Sequence, residues 1–317
     1  MSLLIEESDT SEARYQPDDL DMSLPLSPES KRAYLSDVVH FVAHIRTGLP
    51  TTVDRVCAYL KDNAECYSTR TLRRRLAHIR LWHDLRDLPD PTKDKRIMKE
   101  MKNLAREYGK PKKQARAVRL DDIKKIVAHL SIHASLKNVR NRAMLLIGYY
   151  GAFRRSELVN LRWENIDFRP EGLLVTLPKS KTDQTGEGLH SAIPYAEPAC
   201  CPVKALMSWQ ERVGRYEGPV FPRITKHGKI LDTAVSDNYW NRAIRQMAID
   251  AKVMHADQIT SHSLRRGSTT EAAYRGAPMK VLMDHGRWRS ATSVVGYLAE
   301  AGRFQECAGS YLAAEEQ

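Results

Sequence analysis

The first third of the chain has apolar residues recurring at spacings of three and four, the pattern of amphipathic α-helices. Ser27 and Pro28 suit a helix start, because serine caps the free N–H groups and proline is accommodated in the first turn. Gly48 and Pro50 then stop the first helix. The pattern predicts four helices joined by short loops, and therefore a small helical bundle, at about 27–46, 53–63, 69–86 and 92–107.

The remainder of the chain mixes helical periodicity with a few short runs of strand character. The runs alternate apolar and polar residues and are bounded by turn residues, which predicts a small β-sheet at 166–168, 173–178 and 192–194. Helices are predicted from Leu120 onward, at 138–150, 158–163, 199–213, 235–253, 263–275 and 278–285. The fold class expected is mainly α, with an α+β second domain.

Domain boundaries follow from composition. Residues 1–29 contain eight acidic residues and one arginine, a net charge of −7, so the other 288 residues carry +18 and the whole chain +11. We expect a disordered acidic tail at 1–26, a helical domain at 27–108 and a second domain at 118–317. Gly109 to Ala117 is basic and contains glycine and proline, which predicts a linker at 109–117.

The charge of the whole chain, +11 with a pI near 9.4, points to a polyanionic partner. The five cysteines form no CxxC pair, which argues against a disulfide framework and a zinc site. The sequence contains no run of 18 apolar residues, so no membrane span is predicted. The first residues are acidic where an export signal would be basic. We therefore expect a protein that acts on nucleic acid in the cytoplasm, without a membrane.

Six dispersed residues suggest phosphate chemistry with a tyrosine nucleophile. Two arginines can hold non-bridging phosphate oxygens with bidentate, permanently charged donors, and a lysine, a histidine and an indole N–H can donate further hydrogen bonds. A tyrosine hydroxyl can attack phosphorus and become covalently attached. The candidates are Arg154, Lys181, His262, Arg265, Trp288 and Tyr297.

Spacing along the chain distinguishes the candidate site residues from similar residues next to them. His262 precedes Arg265 by three, which places both on one face of a helix. Glu157 follows Arg154 by three and is expected to orient the site as a hydrogen-bond acceptor. Arg155 should face elsewhere. Lys179 remains an alternative to Lys181 in the predicted hairpin loop, and His285 lies twelve residues before Tyr297, whereas Trp288 lies nine before it.

The ordered set resembles the tyrosine recombinase (phage integrase) family. The resemblance rests on the Arg-x-Ser-Glu-Leu segment at Arg154, the His-x-x-Arg segment at His262, and the 23- and nine-residue spacings from Arg265 to Trp288 and from Trp288 to Tyr297. Many members have histidine where this chain has Trp288, which can donate a hydrogen bond but cannot act as a base.

The resemblance implies a fold and an assembly. The first domain would be a SAM-like core-binding bundle, the second the recombinase catalytic domain, and the two together a C-shaped clamp on DNA. Tyr297 would form a 3′-phosphotyrosyl bond, and Lys181 would protonate the leaving 5′-oxygen. A C-terminal helix would dock into a neighbouring subunit. A homotetramer would then act on two inverted-repeat recombination sites through a Holliday junction.

DNA contacts are expected from both domains. The helices that begin near Ser27 and Thr69 would approach the major groove, and six arginines lie within seventeen residues at 70–86. A second basic set lies in the later domain. The candidates are Arg32, Arg70, Arg73, Arg74, Arg75, Arg223, Lys226, His227, Lys229, Arg242 and Arg245.

Two other functions fit the same residues. A type IB topoisomerase-like enzyme would use the same chemistry without a defined pair of sites, and a catalytically silent protein on this fold would only bind DNA. The chain has no Walker motif, no HExxH motif and no carboxylate cluster suited to two Mg²⁺ ions. The sequence therefore predicts strand transfer without a metal, ATP or another cofactor.

Overall fold

A computed structural model describes residues 26–110, 115–177 and 189–302. The chain divides into two compact units, with the division between residues 113 and 114. None of the helices in these ranges has the length and apolar character needed to cross a membrane. The acidic tail up to residue 25, residues 111–114 of the predicted linker, the hairpin loop with Lys181, and the C-terminal segment after residue 302 lie outside the described residues.

The described residues of the first unit form four α-helices. Ser27 and Ser68 cap two of them, each with its hydroxyl accepting the backbone N–H three residues ahead. The fourth helix begins later than the sequence predicted, because Asp90 caps a separate 3₁₀ turn at Pro91–Lys93 and Asp94 then caps the helix itself. The helices are α1 (Pro28–Ile45), α2 (Val53–Asp62), α3 (Thr69–Asp84) and α4 (Lys95–Glu107).

One apolar core holds the four helices together. Phe41 of α1, Leu60 of α2 and Leu72 of α3 are fully buried, and Trp82 near the end of α3 is 1% exposed. α1 packs against α3, while α2 packs against α4. The apolar stripes predicted from the spacing therefore face this core, as an amphipathic bundle requires.

The second unit combines eight α-helices with two small antiparallel sheets in its described residues. β2 is the central strand of a sheet ordered β1–β2–β3, and β4 pairs with β5 in a separate hairpin. The elements are α5 (Leu120–Ile132), α6 (Leu136–Tyr150), α7 (Arg155–Val159), β1 (Ile166–Arg169), β2 (Gly172–Leu177), β3 (Leu189–Pro194), α8 (Pro202–Val213), β4 (Pro222–Ile224), β5 (Ile230–Ala234), α9 (Asp237–Asp250), α10 (Ser261–Tyr274), α11 (Met279–Gly286) and α12 (Thr292–Gly302).

One prediction for this unit is wrong in detail, and one element was missed. The helix expected at 158–163 ends at Val159 and starts at Arg155, because the Glu157 carboxylate accepts the Arg154 backbone N–H and fixes the start of the helix there. A 3₁₀ turn follows at Trp163–Asn165. The β4–β5 hairpin was not predicted, since its strands are only three and five residues long and its turn is basic.

α6 lies at the centre of the second unit, and most of its residues are buried. α10 packs against it and carries two of the candidate residues. Gly267 allows the chain at Val118 to lie directly on α10, since a Cβ at 267 would overlap the Val118 carbonyl oxygen. The Val118 N–H donates to the Ser263 carbonyl at 3.2 Å. This close approach fixes the first turns of α10 relative to the rest of the unit.

Candidate active site

The site is built around the turn between α6 and α7. α6 ends at Tyr150, and Ala152 has a left-handed backbone with φ of 45° before the chain enters α7. Arg154 is the residue that caps α7, so its side chain projects from the helix start. Its guanidinium pairs with the Glu157 carboxylate, and its Nη2 also donates to the Arg287 carbonyl at 3.3 Å. The Arg154 side chain is 41% exposed.

Arg265 approaches the same turn from α10. It is 2% exposed. Its Nη1 donates to the Ala152 carbonyl at 2.8 Å, and its Nη2 donates to the Gly286 carbonyl. The same Nη1 lies 3.9 Å from the Glu157 carboxylate. Arg265 thus ties the α6–α7 turn to the end of α11 and stands beside Arg154.

Arg287 completes the cluster, and the sequence did not predict it. Its side chain is 2% exposed, and its Nη2 donates to Glu157 at 3.0 Å. The two Nη groups also donate to the Gly151, Ala152 and His285 carbonyls at 2.9–3.1 Å. Its backbone has φ of 54°, a left-handed conformation in which glycine is the usual residue.

Trp288 and Tyr297 extend the cluster toward α12. The Arg265 guanidinium lies over the Trp288 ring, 4.4 Å from its centroid. The Trp288 and Tyr297 rings are 5.5 Å apart between centroids and tilted by 47°. Trp288 can lie this close to α11 because position 286 is glycine, where any Cβ would overlap the indole. Tyr297 is half-buried on α12.

Electrostatics keep Glu157 and Arg265 charged at neutral pH. Burial alone would raise the pKa of Glu157, but Arg287 and Arg154 together hold it below its ordinary value. Burial, followed by repulsion from Arg154 and Arg287, lowers the pKa of Arg265 to about 9. Three guanidinium groups against one carboxylate leave an excess of two positive charges, which suits a phosphate group.

Residues 116–303, more than half of the chain, match the phage integrase family. The chain belongs to the tyrosine recombinase (phage integrase) family. A curated relative in Selenomonas ruminantium, an integrase/recombinase XerD homologue, is 29% identical over 267 residues, which cover 83% of this chain and 78% of the relative.

Solved recombinases share the fold at low sequence identity. The XerH site-specific recombinase bound to palindromic difH substrate, in a post-cleavage complex, superposes with a TM-score of 0.68 at 13% identity, covering 90% of this chain and 80% of that one. The lambda integrase fragment 75–356, a dimer bound to a COC′ core site, gives 0.60 at 15% identity, covering 89% and 92%. The recombinase fold predicted from the motifs is confirmed.

Of the two remaining catalytic candidates, His262 lies among the described residues and Lys181 does not. His262 lies in the first turn of α10, one turn before Arg265, and is exposed. Lys181 lies outside the described residues. The strand that follows it, β3, does reach the site, because the Ser191 hydroxyl donates to the Gly151 carbonyl at 3.4 Å. Arg155 points away, as expected, and pairs with Asp237 of α9 at 3.2 Å.

The predicted DNA contacts need one correction. Arg75 is 6% exposed, lies 3.5 Å from the buried Asp37 carboxylate, and donates to the Tyr59 hydroxyl at 3.0 Å. It therefore stabilises the first unit and is not available to DNA. Arg74 also bonds Asp37, at 2.8 Å, but remains half exposed. The other candidates are exposed, namely Arg32, Arg70, Arg73, Arg223, Lys226, His227, Lys229, Arg242 and Arg245.

Arg287 could have been found only through its neighbours. It stands directly before Trp288, but the motif set gave that position no role.

The structure also bears on metal binding. Across the described ranges no three His, Cys, Asp or Glu side chains lie together as metal ligands would. The expectation of a reaction without a cofactor stays a prediction.

Replacing Glu157 with glutamine should destabilise the second unit. The change leaves buried Arg265 and Arg287 without their shared carboxylate, and we expect the free energy of unfolding at pH 7 to fall by about 3 kcal/mol. Because the pKa of Glu157 is lowered in the folded protein, its contribution is complete above the ordinary value near 4.5 and is lost as the pH falls through the folded value. Denaturant unfolding of both proteins from pH 7 down to pH 3 measures this.

Asp167→Asn is the matched control. Asp167 also pairs with an arginine, Arg169, at 2.7 Å, but that pair is exposed. Exposed pairs contribute little, so the control should unfold nearly as the wild type does at every pH. Equal, small losses for both variants would show that Glu157 does not hold the cluster together.

Proposed function

We propose that this protein is a site-specific DNA recombinase in which Tyr297 cuts and rejoins DNA strands. The observation that carries the proposal is the continuity of one cluster. Tyr297 contacts Trp288, Trp288 lies under Arg265, and Arg265 stands beside Arg154 and Glu157. A phosphate held by Arg154 and Arg265 would therefore lie close to Tyr297.

The cleavage step exchanges one phosphodiester for another. The Tyr297 oxygen attacks the scissile phosphorus, the bond from phosphorus to the 5′-oxygen breaks, and a 3′-phosphotyrosyl bond forms. Arg154 and Arg265 stabilise the additional negative charge on the non-bridging oxygens. His262 accepts the tyrosine proton or donates to a phosphate oxygen, and Trp288 donates from its indole N–H.

Lys181 supplies the proton that the leaving 5′-oxygen requires. Support comes from β3, because its Ser191 reaches the Gly151 carbonyl and the hairpin connection begins only a few residues away. Rejoining is the reverse reaction, with a 5′-hydroxyl from the partner strand attacking the phosphotyrosyl bond. Because bond energy is retained in the intermediate, no nucleotide hydrolysis is needed.

The assembly proposed is a dimer on inverted half-sites and a tetramer on two sites, which exchanges strands through a Holliday junction in the cytoplasm. Its domains are those expected from composition, a core-binding domain and a catalytic domain. The tryptophan at position 288 and its spacing to Tyr297 resemble Cre recombinase. Family relatives solved as complexes with substrate DNA support a DNA partner.

Covalent trapping tests the nucleophile. Incubation with duplex DNA from the sequence that flanks the gene, followed by quenching in detergent, should give a protein–DNA adduct on the 3′ side of the break. Tyr297→Phe should bind the same DNA and give no adduct, because it lacks the attacking oxygen. Denaturing electrophoresis separates the adduct from free protein.

Two other outcomes of this experiment favour the rival functions. Adducts on any duplex, with relaxation of a supercoiled plasmid that lacks the site, would indicate a topoisomerase-like enzyme. Binding without an adduct on every DNA tested would indicate a silent DNA-binding protein. Adducts that persist in Tyr297→Phe would contradict the assignment of the nucleophile.

Lys181→Ala should slow cleavage of ordinary DNA by about 10²-fold or more, since a general acid contributes about that much. A substrate with sulfur in place of the leaving 5′-oxygen should restore the rate, because a thiolate leaves without a proton. Lys179→Ala is the control and should cleave both substrates as the wild type does. The reverse pattern between the two lysines, or no rescue by sulfur, would contradict the role of Lys181.

A further inference from the structure

The first unit has an apolar groove between α3 and α4, here called the α3–α4 groove. Its volume is about 720 Å³, which lies within the range of roughly 300–1,000 Å³ usual for binding pockets. Apolar side chains form its floor, among them Leu76, Ile97 and Met101. Met98 stands beside them and is 69% exposed. Methionine at an open apolar groove is typical of surfaces that adapt to a bound peptide.

The rim of the α3–α4 groove is cationic. Arg73 and Arg80 on α3 and Lys99 and Lys102 on α4 line it, and all four are exposed. Arg80 pairs with Asp84 at 3.3 Å. Among the described residues, no carboxylate lies within 4.0 Å of Arg73, Lys99 or Lys102. The groove therefore suits a ligand that has apolar residues next to negative charges. Its floor does not suit a DNA backbone, which is contacted through its phosphates and sugars.

The sequence ahead of α1 has the composition of such a ligand. This part of the chain, up to residue 25, lies outside the described residues. It includes Leu3, Leu4 and Ile5, followed at once by Glu6 and Glu7. The apolar run is complementary to the floor of the α3–α4 groove, and the acidic residues are complementary to its rim.

The connection to α1 is long enough for docking within one molecule. Residues 10–26, seventeen in all, lie between the acidic segment and the start of the first unit's helices. Extended, they span up to about 56 Å, and a domain of this size is roughly 30 Å across. Tethering also raises the local concentration of the segment to about the millimolar range. Both effects favour the groove of the same chain over that of a second copy.

We infer that residues 3–9 dock into the α3–α4 groove of their own chain and that the docked segment opposes DNA binding by α3. The docking is argued from the groove and the sequence alone, whereas the effect on DNA rests on the proposed function. Arg73 is both a rim residue and an expected DNA contact, so the segment and the DNA would compete for it. Negative charge placed beside α3 would also repel phosphates.

Cross-linking within the full-length protein tests the docking without DNA. Ser8→Cys leaves the apolar and acidic residues of the segment unchanged, and Met98→Cys supplies the thiol at the groove. Cys66→Ser removes an exposed native thiol from every protein used. Met254→Cys replaces Met98→Cys in the matched control, since Met254 is also 69% exposed but lies in the second unit. In dilute protein, a short bis-maleimide should join positions 8 and 98 of one chain about tenfold faster than positions 8 and 254.

Reversal of charge tests the role of the rim. Lys99→Glu with Lys102→Glu should slow the cross-link between positions 8 and 98 about fivefold, because attractive pairs become repulsive. Adding Glu6→Lys and Glu7→Lys to that variant should restore the rate, since attraction returns with the signs exchanged.

The matched control reverses two lysines elsewhere. Lys125→Glu with Lys204→Glu changes the net charge by the same amount at exposed positions on α5 and α8. The cross-link between positions 8 and 98 should form in this control as fast as it does without the two changes.

A locked segment tests the effect on DNA. The protein joined between positions 8 and 98 by a cleavable cross-linker should bind a short duplex about tenfold more weakly than the same preparation after cleavage, because the locked acids compete with phosphates at α3. Protein that was never cross-linked but was treated with the cleaving reagent is the control. It should bind as tightly as the cleaved preparation.

Each remaining outcome overturns a stated part of the inference. Equal rates to positions 98 and 254, or a rate that charge reversal leaves unchanged, overturn the docking. Cross-links between two chains that disappear on dilution show a second copy in the groove and also overturn it. A locked segment that leaves duplex affinity unchanged overturns the opposition to DNA. Failure of every form to bind any duplex, with the cross-link within one chain intact, defeats the proposed function while the docking stands.

Discussion

The arrangement of this site depends on the Glu157 carboxylate shared among three arginines. Glu157 accepts the Arg154 backbone N–H, which starts α7, and the same carboxylate pairs with the Arg154 and Arg287 side chains. Without that charge, buried Arg265 and Arg287 would repel each other and Arg154. The carboxylate therefore sets both the local fold and the excess of two positive charges offered to a phosphate. In the proposed reaction a phosphodiester brings one negative charge and gains a second as it is attacked, so two excess positive charges would match the transition state better than the ground state.

The two buried arginines, Arg265 and Arg287, also link separate segments of the backbone through hydrogen bonds. Arg265 donates to the Ala152 and Gly286 carbonyls, and Arg287 donates to Gly151, Ala152 and His285. These bonds join the α6–α7 turn to the α11–α12 turn, which carry Arg154 and Trp288 respectively. Only Arg154 is substantially exposed among the three arginines. We therefore expect Arg154 to make the outermost phosphate contact, with Arg265 approaching from inside.

Much of this could be predicted from the sequence, because periodic spacing reports which face of a helix is buried. The four helices of the first unit and most helices of the second follow that rule. The failures have local causes. α7 is displaced because a side chain, Glu157, decides where it starts, and the β4–β5 hairpin was missed because its strands are too short to show alternation. From the sequence alone, Arg75 is expected at the surface. In the structure it is buried, because Asp37, distant in sequence, pairs with it.

Arg287 shows what a motif cannot reveal, since its importance comes from contacts with Glu157 and with carbonyls more than 130 residues earlier. Its coupling to Glu157 is the central claim of this account. A double-mutant cycle of Glu157→Gln and Arg287→Met, followed by denaturant unfolding at pH 7, measures that coupling directly. If the two residues are coupled through the carboxylate, the double variant should lose less free energy of unfolding than the sum of the two single losses, by about 1 kcal/mol or more. Losses that add within about 0.5 kcal/mol would show that the two residues act independently, and would contradict the shared-carboxylate site.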